Sequence, residues 1–326
     1  MSRFGSDHKT FDAPQTMGIS QVLLFLMRNC PNVYDWIFDK MVASMSAKAF
    51  PDMPKEWNFS PAPPAFITNP MIASDEFYGA LKSGWAKPVP AVKQFTGPKS
   101  VEFTDGTSLD DIDAVVYCTG YDASAPFLKG DLNPYPETGK QGNMYRNLFL
   151  LHPDKSVRES IVFIGHGGFA WPGLSMFELQ SVAVAQIWRG KSKLPPYEEM
   201  QQWHRTLLQY RKKLYAKNPY ESTHYPAILP TAEQIDWIDE TTGSDLLGRF
   251  GWFSWKAWKW WWQDREFYNL CSSGVLSPAM WRLFDNGKMK AWDGAREQIK
   301  ADNEAMEKGA ARRKAFVEAR DQKKTI

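Results

Sequence analysis

Asp113-Ala-Val-Val-Tyr-Cys-Thr-Gly-Tyr-Asp122, with the Ala-Pro-Phe-Leu that ends at Leu128, is the stretch on which the fold turns. Residues 115–118 favour β structure and run straight into Thr119-Gly120, so the pattern predicts a buried strand that stops where glycine frees the backbone. Strand ends of this kind hold small ligands in α/β sheets, and they also serve as plain turns. What flanks the stretch must decide between the two.

Upstream, residues 89–95 and 100–104 read as short strands punctuated by Gly97-Pro98 and Asp105-Gly106. Asp-Gly is a tight-turn signal, so a hairpin or meander feeds the opening stretch. A helix over 74–84 precedes them, with Ser74 as its N-cap and Gly84 as its terminator. Downstream, residues 160–165 predict a second buried strand that also stops at a glycine. It continues as Gly165-His-Gly-Gly-Phe-Ala170, which formally satisfies G-x-G-x-x-A. Pro172 and Gly173 interrupt the helix such a fingerprint needs, and the better start is Ser175 with Glu178 in a capping box. The loop is therefore either a pyrophosphate cradle or a strand-to-helix connection whose helix N-terminus faces a ligand more loosely.

The remaining chain reads as helical. Apolar residues at Ile19, Val22, Leu23 and Leu26, then Val33, Trp36, Ile37 and Met41, give two amphipathic helices broken at Asn29-Cys30-Pro31. Prolines at 51, 54, 61, 63, 64 and 70 predict an extended connection. The helix over 175–189 is expected to bury Phe177, Val182, Ala185, Ile187 and Trp188. Residues 195–216 suggest a surface hairpin or lid, a short helix opens at Thr231, and 289–326 is a charged, solvated terminal helix.

Fifteen tryptophans include the run Gly251-Trp-Phe-Ser-Trp-Lys-Ala-Trp-Lys-Trp-Trp-Trp262. On a helix Trp255, Trp258 and Trp262 share a face with Lys256 and Lys259 off it. That suits a membrane-interface anchor, while packing against the chain or a partner is the blander reading.

Composition bounds function. Basic residues number 39 and acidic residues 37, a net +2 without a basic face, which disfavours nucleic acid. Three distant cysteines, Cys30, Cys118 and Cys271, imply neither disulfides nor a metal site, and with no apolar leader they point to a reducing, cytoplasmic setting. In that setting the Asn58-Phe59-Ser60 sequon is not glycosylated. Five histidines lack metal-ligand spacing, and His166 alone falls at a predicted strand end. Cys118 is expected to pack inside its strand, and no serine sits in a nucleophile elbow. Gln180 is polar on a helix that wants burial, so either structure or a ligand claims its amide.

The order of these elements resembles the flavin-containing monooxygenase family and, more loosely, its Baeyer–Villiger and N-hydroxylating relatives. The resemblance rests on residues 113–121 with Pro126-Phe127-Leu128, on Phe103-Thr-Asp-Gly106, on Tyr145-Arg-Asn-Leu-Phe149, and on residues 161–165. It continues through Glu178-Leu-Gln180 to Gly190-Lys191 and Pro195. It implies two Rossmann-like domains that bind FAD and NADPH, and a flavin that reacts with O2 to oxygenate nitrogen, sulfur or a carbonyl carbon of a small molecule. It also implies that Thr119, Gly120, Gly165, Phe169 and Gln180 face the flavin; it assigns no catalytic side chain.

The family's glycine motifs for FAD and NADPH, expected ahead of the matched region, do not occur in this sequence. Val182 stands where relatives place an arginine, and Phe169 where the Baeyer–Villiger signature places histidine. The resemblance therefore implies an N-terminally incomplete, C-terminal portion of such an enzyme. The expected fold is an α/β, partial two-dinucleotide-binding-domain flavoprotein. Residues 1–58 would be a helical remnant of the NADPH-domain region, 59–195 a Rossmann-like segment with closing strands of the FAD domain, and 196–326 a mostly helical extension. The alternative is a non-catalytic remnant, or one half of a split enzyme whose partner chain carries the missing motifs.

Overall fold

The computed structural model describes residues 7–10, 13–50, 52–54, 57, 76–118, 124–135, 141–168, 171–217 and 228–324. The connection predicted over 50–70 lies mostly outside them, as do Ser74 and the sequon.

Helix α1 (Met17–Asn29) begins where the Thr16 hydroxyl accepts from the Ile19 amide, and α2 (Pro31–Ala49) restarts after Cys30 with proline at its first position. The predicted break is present, because proline cannot continue one helix but suits the start of the next. The core face differs from the expectation. Met17, Ser20 and Leu24 are buried, whereas Ile19 and Val22 are exposed. Small residues decide this: a Cβ on Gly18 would stand 3.1 Å from the Ser272 carbonyl oxygen, so helix α10 (Arg265–Ser273) approaches on that side. Among the described side chains of α2 only Tyr34 is buried, and Val33, Trp36, Ile37 and Met41 lie exposed.

The short α3 (Phe77–Lys82), with Glu76 at its N-cap position, leads to β1 (Val92–Gly97), β2 (Ser100–Phe103) and β3 (Ser108–Leu109). They form the predicted meander, antiparallel in the order β1-β2-β3, with Gly106 at φ +85° in the tight turn. The opening strand does not form. Residues 113–118 pair with nothing as a strand; Val116 is 79% and Tyr117 73% exposed, and the Cys118 thiol is exposed rather than packed. A buried strand needs neighbours on both edges and both faces, and none of the described residues takes those places.

A second, two-stranded antiparallel sheet pairs β4 (Met144–Tyr145) with β5 (Phe149–Leu150). The strand predicted over 160–165 shrinks to one antiparallel bridge, Val162 to Phe149. Phe163 is buried in a small cluster with Ala125, Tyr135, Met144 and Leu150, while Ile164 faces out. After α4 (Lys155–Arg158) comes α5 (Gly173–Trp188), two residues earlier than the capping-box reading. Pro172 is its N-cap, and Glu178 is ion-paired with Arg282 rather than closing a box. Its buried face carries Met176, Leu179, Gln180, Ala183, Val184 and Gln186; Trp188 is exposed and Gly190 turns the chain at φ +71°.

The C-terminal part is helical: α6 (Tyr197–Tyr215), α7 (Thr231–Thr242), α8 (Leu246–Phe250), α9 (Trp255–Gln263), α10, and α11 (Ala295–Lys324). The stretch read as a hairpin or lid is the single helix α6. Met17 and Leu24 of α1 join Met176, Leu179, Ile235, Ile238, Leu246, Phe250, Trp260, Phe267, Met280 and Trp281 in the largest apolar core. Ala295 and Ile299 dock the start of α11 onto it, so this helix is solvated only further along. The molecule is thus mixed α/β with two small antiparallel sheets and a helical C-terminal region; among the described residues the only parallel pairing is the bridge between Gly168 and Ile228.

Candidate functional site

The predicted site residues divide. Thr119, Gly120 and Phe169 lie outside the described residues. Gly165 and Gln180 are described, and each has a property that pure packing does not require.

Gly165 sits at φ +93°, and a Cβ built on it meets nothing within 4 Å among the described residues. The left-handed backbone needs glycine, while the space above it is open. His166 follows. Its carbonyl accepts a 2.7 Å hydrogen bond from Asn147 Nδ2, and its Nδ1 lies 2.5 Å from the Tyr135 hydroxyl. Burial holds the imidazole below its ordinary pKa, so it is neutral near pH 7. With its proton on Nε2, Nδ1 accepts from the phenol. Phe163 meets the ring edge-on at 5.9 Å between centroids.

Asn147 is placed by the β4–β5 hairpin, whose turn residues Arg146 and Asn147 take φ values of +54° and +55°. Asparagine tolerates that region; arginine adopts it here under restraint. The Arg146 guanidinium lies over Tyr145, Trp203 and Trp237 at 5.0–5.3 Å from each ring centroid, and its Nη1 donates to Gln234 at 3.1 Å. These contacts offset a strained turn.

Behind the loop stands Arg211, one of the largest fully buried side chains. Nε donates to the Ile228 carbonyl at 2.7 Å, Nη2 to Asn147 Oδ1 at 3.3 Å, and Nη1 to Gln141. Ile228 carries the bridge to Gly168, and the Leu229 amide donates to the Gly168 carbonyl at 3.1 Å. Arg211 thereby ties the hairpin turn to Ile228 and, through Asn147 and Ile228, reaches His166 and Gly168. Its acceptors are neutral; desolvation lowers its pKa to about 10, still fully charged at pH 7. One turn-pair back on the same helix His204 is buried with Nε2 unpartnered, and desolvation with the charges of Arg211 and Arg205 lowers its pKa to about 4.

Gln180 is 1% exposed, and among the described residues neither Nε2 nor Oε1 has a hydrogen-bond partner. An amide left dry and unpaired costs about 1–3 kcal/mol, so a buried one calls for a reason. Planar heterocycles that present donors and acceptors along one edge match its two groups.

Tyr135, Asn147 and Arg211 were not singled out from the sequence. Arg211 had a legible signal: Met200, His204, Leu207, Arg211 and Leu214 recur at three- and four-residue intervals, so a cation falls on the buried stripe of an otherwise ordinary amphipathic helix.

Comparison with known proteins gives the family. The flavin-binding monooxygenase-like family matches residues 14–322, and the chain belongs to it. Membership implies a flavin cofactor. Monooxygenase aurF of Gibberella zeae is 31% identical over 308 residues, 90% of this chain and 56% of that protein. Human flavin-containing monooxygenase 3 is 27% identical over 277 residues, 84% of this chain and 46% of that enzyme. Human putative dimethylaniline monooxygenase [N-oxide-forming] 6 is 28% identical over 301 residues, 92% and 51% respectively. The chain thus spans about half the length of these relatives.

Proposed function

We propose that this chain works as part of a flavin-dependent monooxygenase that uses FAD, NADPH and O2 to oxygenate a small organic molecule. The observation that carries the reading is Gln180: a buried amide without a partner among the described residues, in the Glu178-Leu-Gln180 element that resembles the family's. Gly165 supports it, since its open left-handed backbone lets a flat ligand approach the main chain. Thr119, Gly120 and Phe169 complete the flavin-facing set on resemblance. The flavin supplies the oxygen chemistry. The chain's own residues orient it: Gln180 offers one donor and one acceptor, and Asn147 with Arg211 fixes the loop that carries Gly165 and His166.

A titration of the purified chain with FAD tests this directly. Visible flavin absorbance that shifts and saturates, with weaker binding in Gln180→Met, supports the proposal. Unchanged free-FAD spectra in the chain with all its segments present would overturn it.

A second reading follows from the opening stretch. The exposed apolar run 115–117 fits a strand whose neighbours are supplied by further sequence of the enzyme or by a partner chain that carries the family's glycine motifs. In that case FAD binding appears only after the partner is added, and size-exclusion chromatography shows the assembly.

A further inference from the structure

We propose that the outer face of α9 is a docking surface for anionic phospholipid membranes, independently of the flavin reading. The buried side of α9 is Ala257 and Trp260, and the Trp260 ring lies edge-on to Phe250, Tyr268 and Phe284 at 5.0–5.2 Å between centroids. The helix is therefore held firmly from within. Opposite that side, Trp255 (78% exposed), Trp258 and Trp262 (83%) form one outward stripe. The preceding turn adds Trp252 and Phe253, the latter 99% exposed, and Trp252 meets the exposed Phe25 of α1 at 6.2 Å between centroids. One apolar patch thus runs over two helices.

The residue type and the charge identify the occupant. Indole rings, apolar with one N–H donor, prefer the water–lipid boundary. No acidic side chain stands on α9. Lys259 is exposed beside the stripe, Arg265 lies 4.8 Å over the Trp261 ring, and only Lys256 is drawn off, to Asp245 at 2.8 Å. A basic, aromatic face suits a negative headgroup layer with acyl chains beneath it. A second copy related by a two-fold axis would set this same cationic patch against itself, which opposes self-association. Among the described residues no helix is long and apolar enough to cross a membrane, so the contact is interfacial.

The test is co-sedimentation of the full chain with vesicles of phosphatidylcholine alone or mixed with phosphatidylserine. Binding should favour the mixed vesicles, weaken with salt, and fall about tenfold or more in the triple variant Trp255→Ser, Trp258→Ser, Trp262→Ser. Lys259→Glu keeps every tryptophan and should cost about fivefold or more, since each cation near such a surface is worth about that factor. Equal binding to both vesicle types, no binding to either, or unchanged binding in the triple variant overturns the proposal. So does a concentration-dependent dimer in sedimentation equilibrium that the same substitutions abolish, which would assign the face to a second copy.

Discussion

The helical core and the meander with its trailing segment contain similar residue types and treat them in opposite ways. In the core, Ile235, Ile238 and Leu246 are completely buried among residues from helices far apart in sequence. Along 92–118, Val92, Phe95, Leu109, Val115 and Val116 stand exposed, and the meander buries only Val101 and Phe103. Hydrophobicity alone therefore does not settle burial in this chain; the presence of a complementary surface does. Stability should reside in the core, and the meander and its tail should contribute little to it.

The largest expected effect tests the core. Ile235→Ala removes a fully buried side chain between α5 and α7 and should cost about 2–5 kcal/mol in a urea denaturation. A cost under about 1 kcal/mol would dissolve the contrast between the regions.

The next test uses pH. The His204 pKa is about 4 in the fold against an ordinary 6.5, so the unfolded chain binds more protons between these values. Stability from His204 is complete above about pH 6.5 and declines as the pH falls towards 4, by at most about 3–4 kcal/mol. His166, also lowered by burial, acts with the same sign, whereas Asp239, raised by burial, opposes both. Comparing wild type with His204→Gln isolates the histidine: the variant should show a shallower loss of stability over that window. Parallel curves would mean that His204 is solvated in solution.

Gln180→Met separates site from scaffold within the buried region. Methionine keeps the volume and deletes the unpaired amide, so the ligand-free chain should gain about 1–3 kcal/mol, read as a higher Tm. Flavin affinity should fall in the same variant, the opposition expected of a residue kept for binding. A lower Tm would show that the protein itself satisfies the amide.

Local signals carried the helix boundaries and little else. Pro31, Gly84, Gly106 and Gly190 act on their own backbone, so the break after Asn29, the tight turn and the end of α5 were all legible. Helix faces were not. α1 buries Ser20 and α5 buries Ser175, Gln180 and Gln186, so polarity did not mark the outside, and the choice fell to distant partners such as Ser272 against Gly18. In α9, by contrast, Trp255, Trp258 and Trp262 share one face as their spacing predicts, and the structure turns that face outward. Gln180 was legible as an anomaly, a polar residue on a buried helix. Tyr135 was not, because its partner His166 is thirty-one positions away.

The smallest predicted effect bears hardest on the opening stretch. Three consecutive apolar side chains, Val115-Val116-Tyr117, suit a strand covered on both faces, yet Val116 is 79% exposed and has little packing to lose. Val116→Asp should therefore change the stability of this chain by no more than about 0.5 kcal/mol, although aspartate is among the poorest strand formers. Urea denaturation at neutral pH, with the aspartate charged, gives the comparison. A loss above about 1 kcal/mol would mean that residues 115–117 pack in solution, and the contrast with the core would then be one of degree. A null effect in the isolated chain, paired with lost FAD binding once the partner segment is supplied, would instead place the meaning of this stretch in assembly: its apolar pattern would serve a sheet completed from elsewhere.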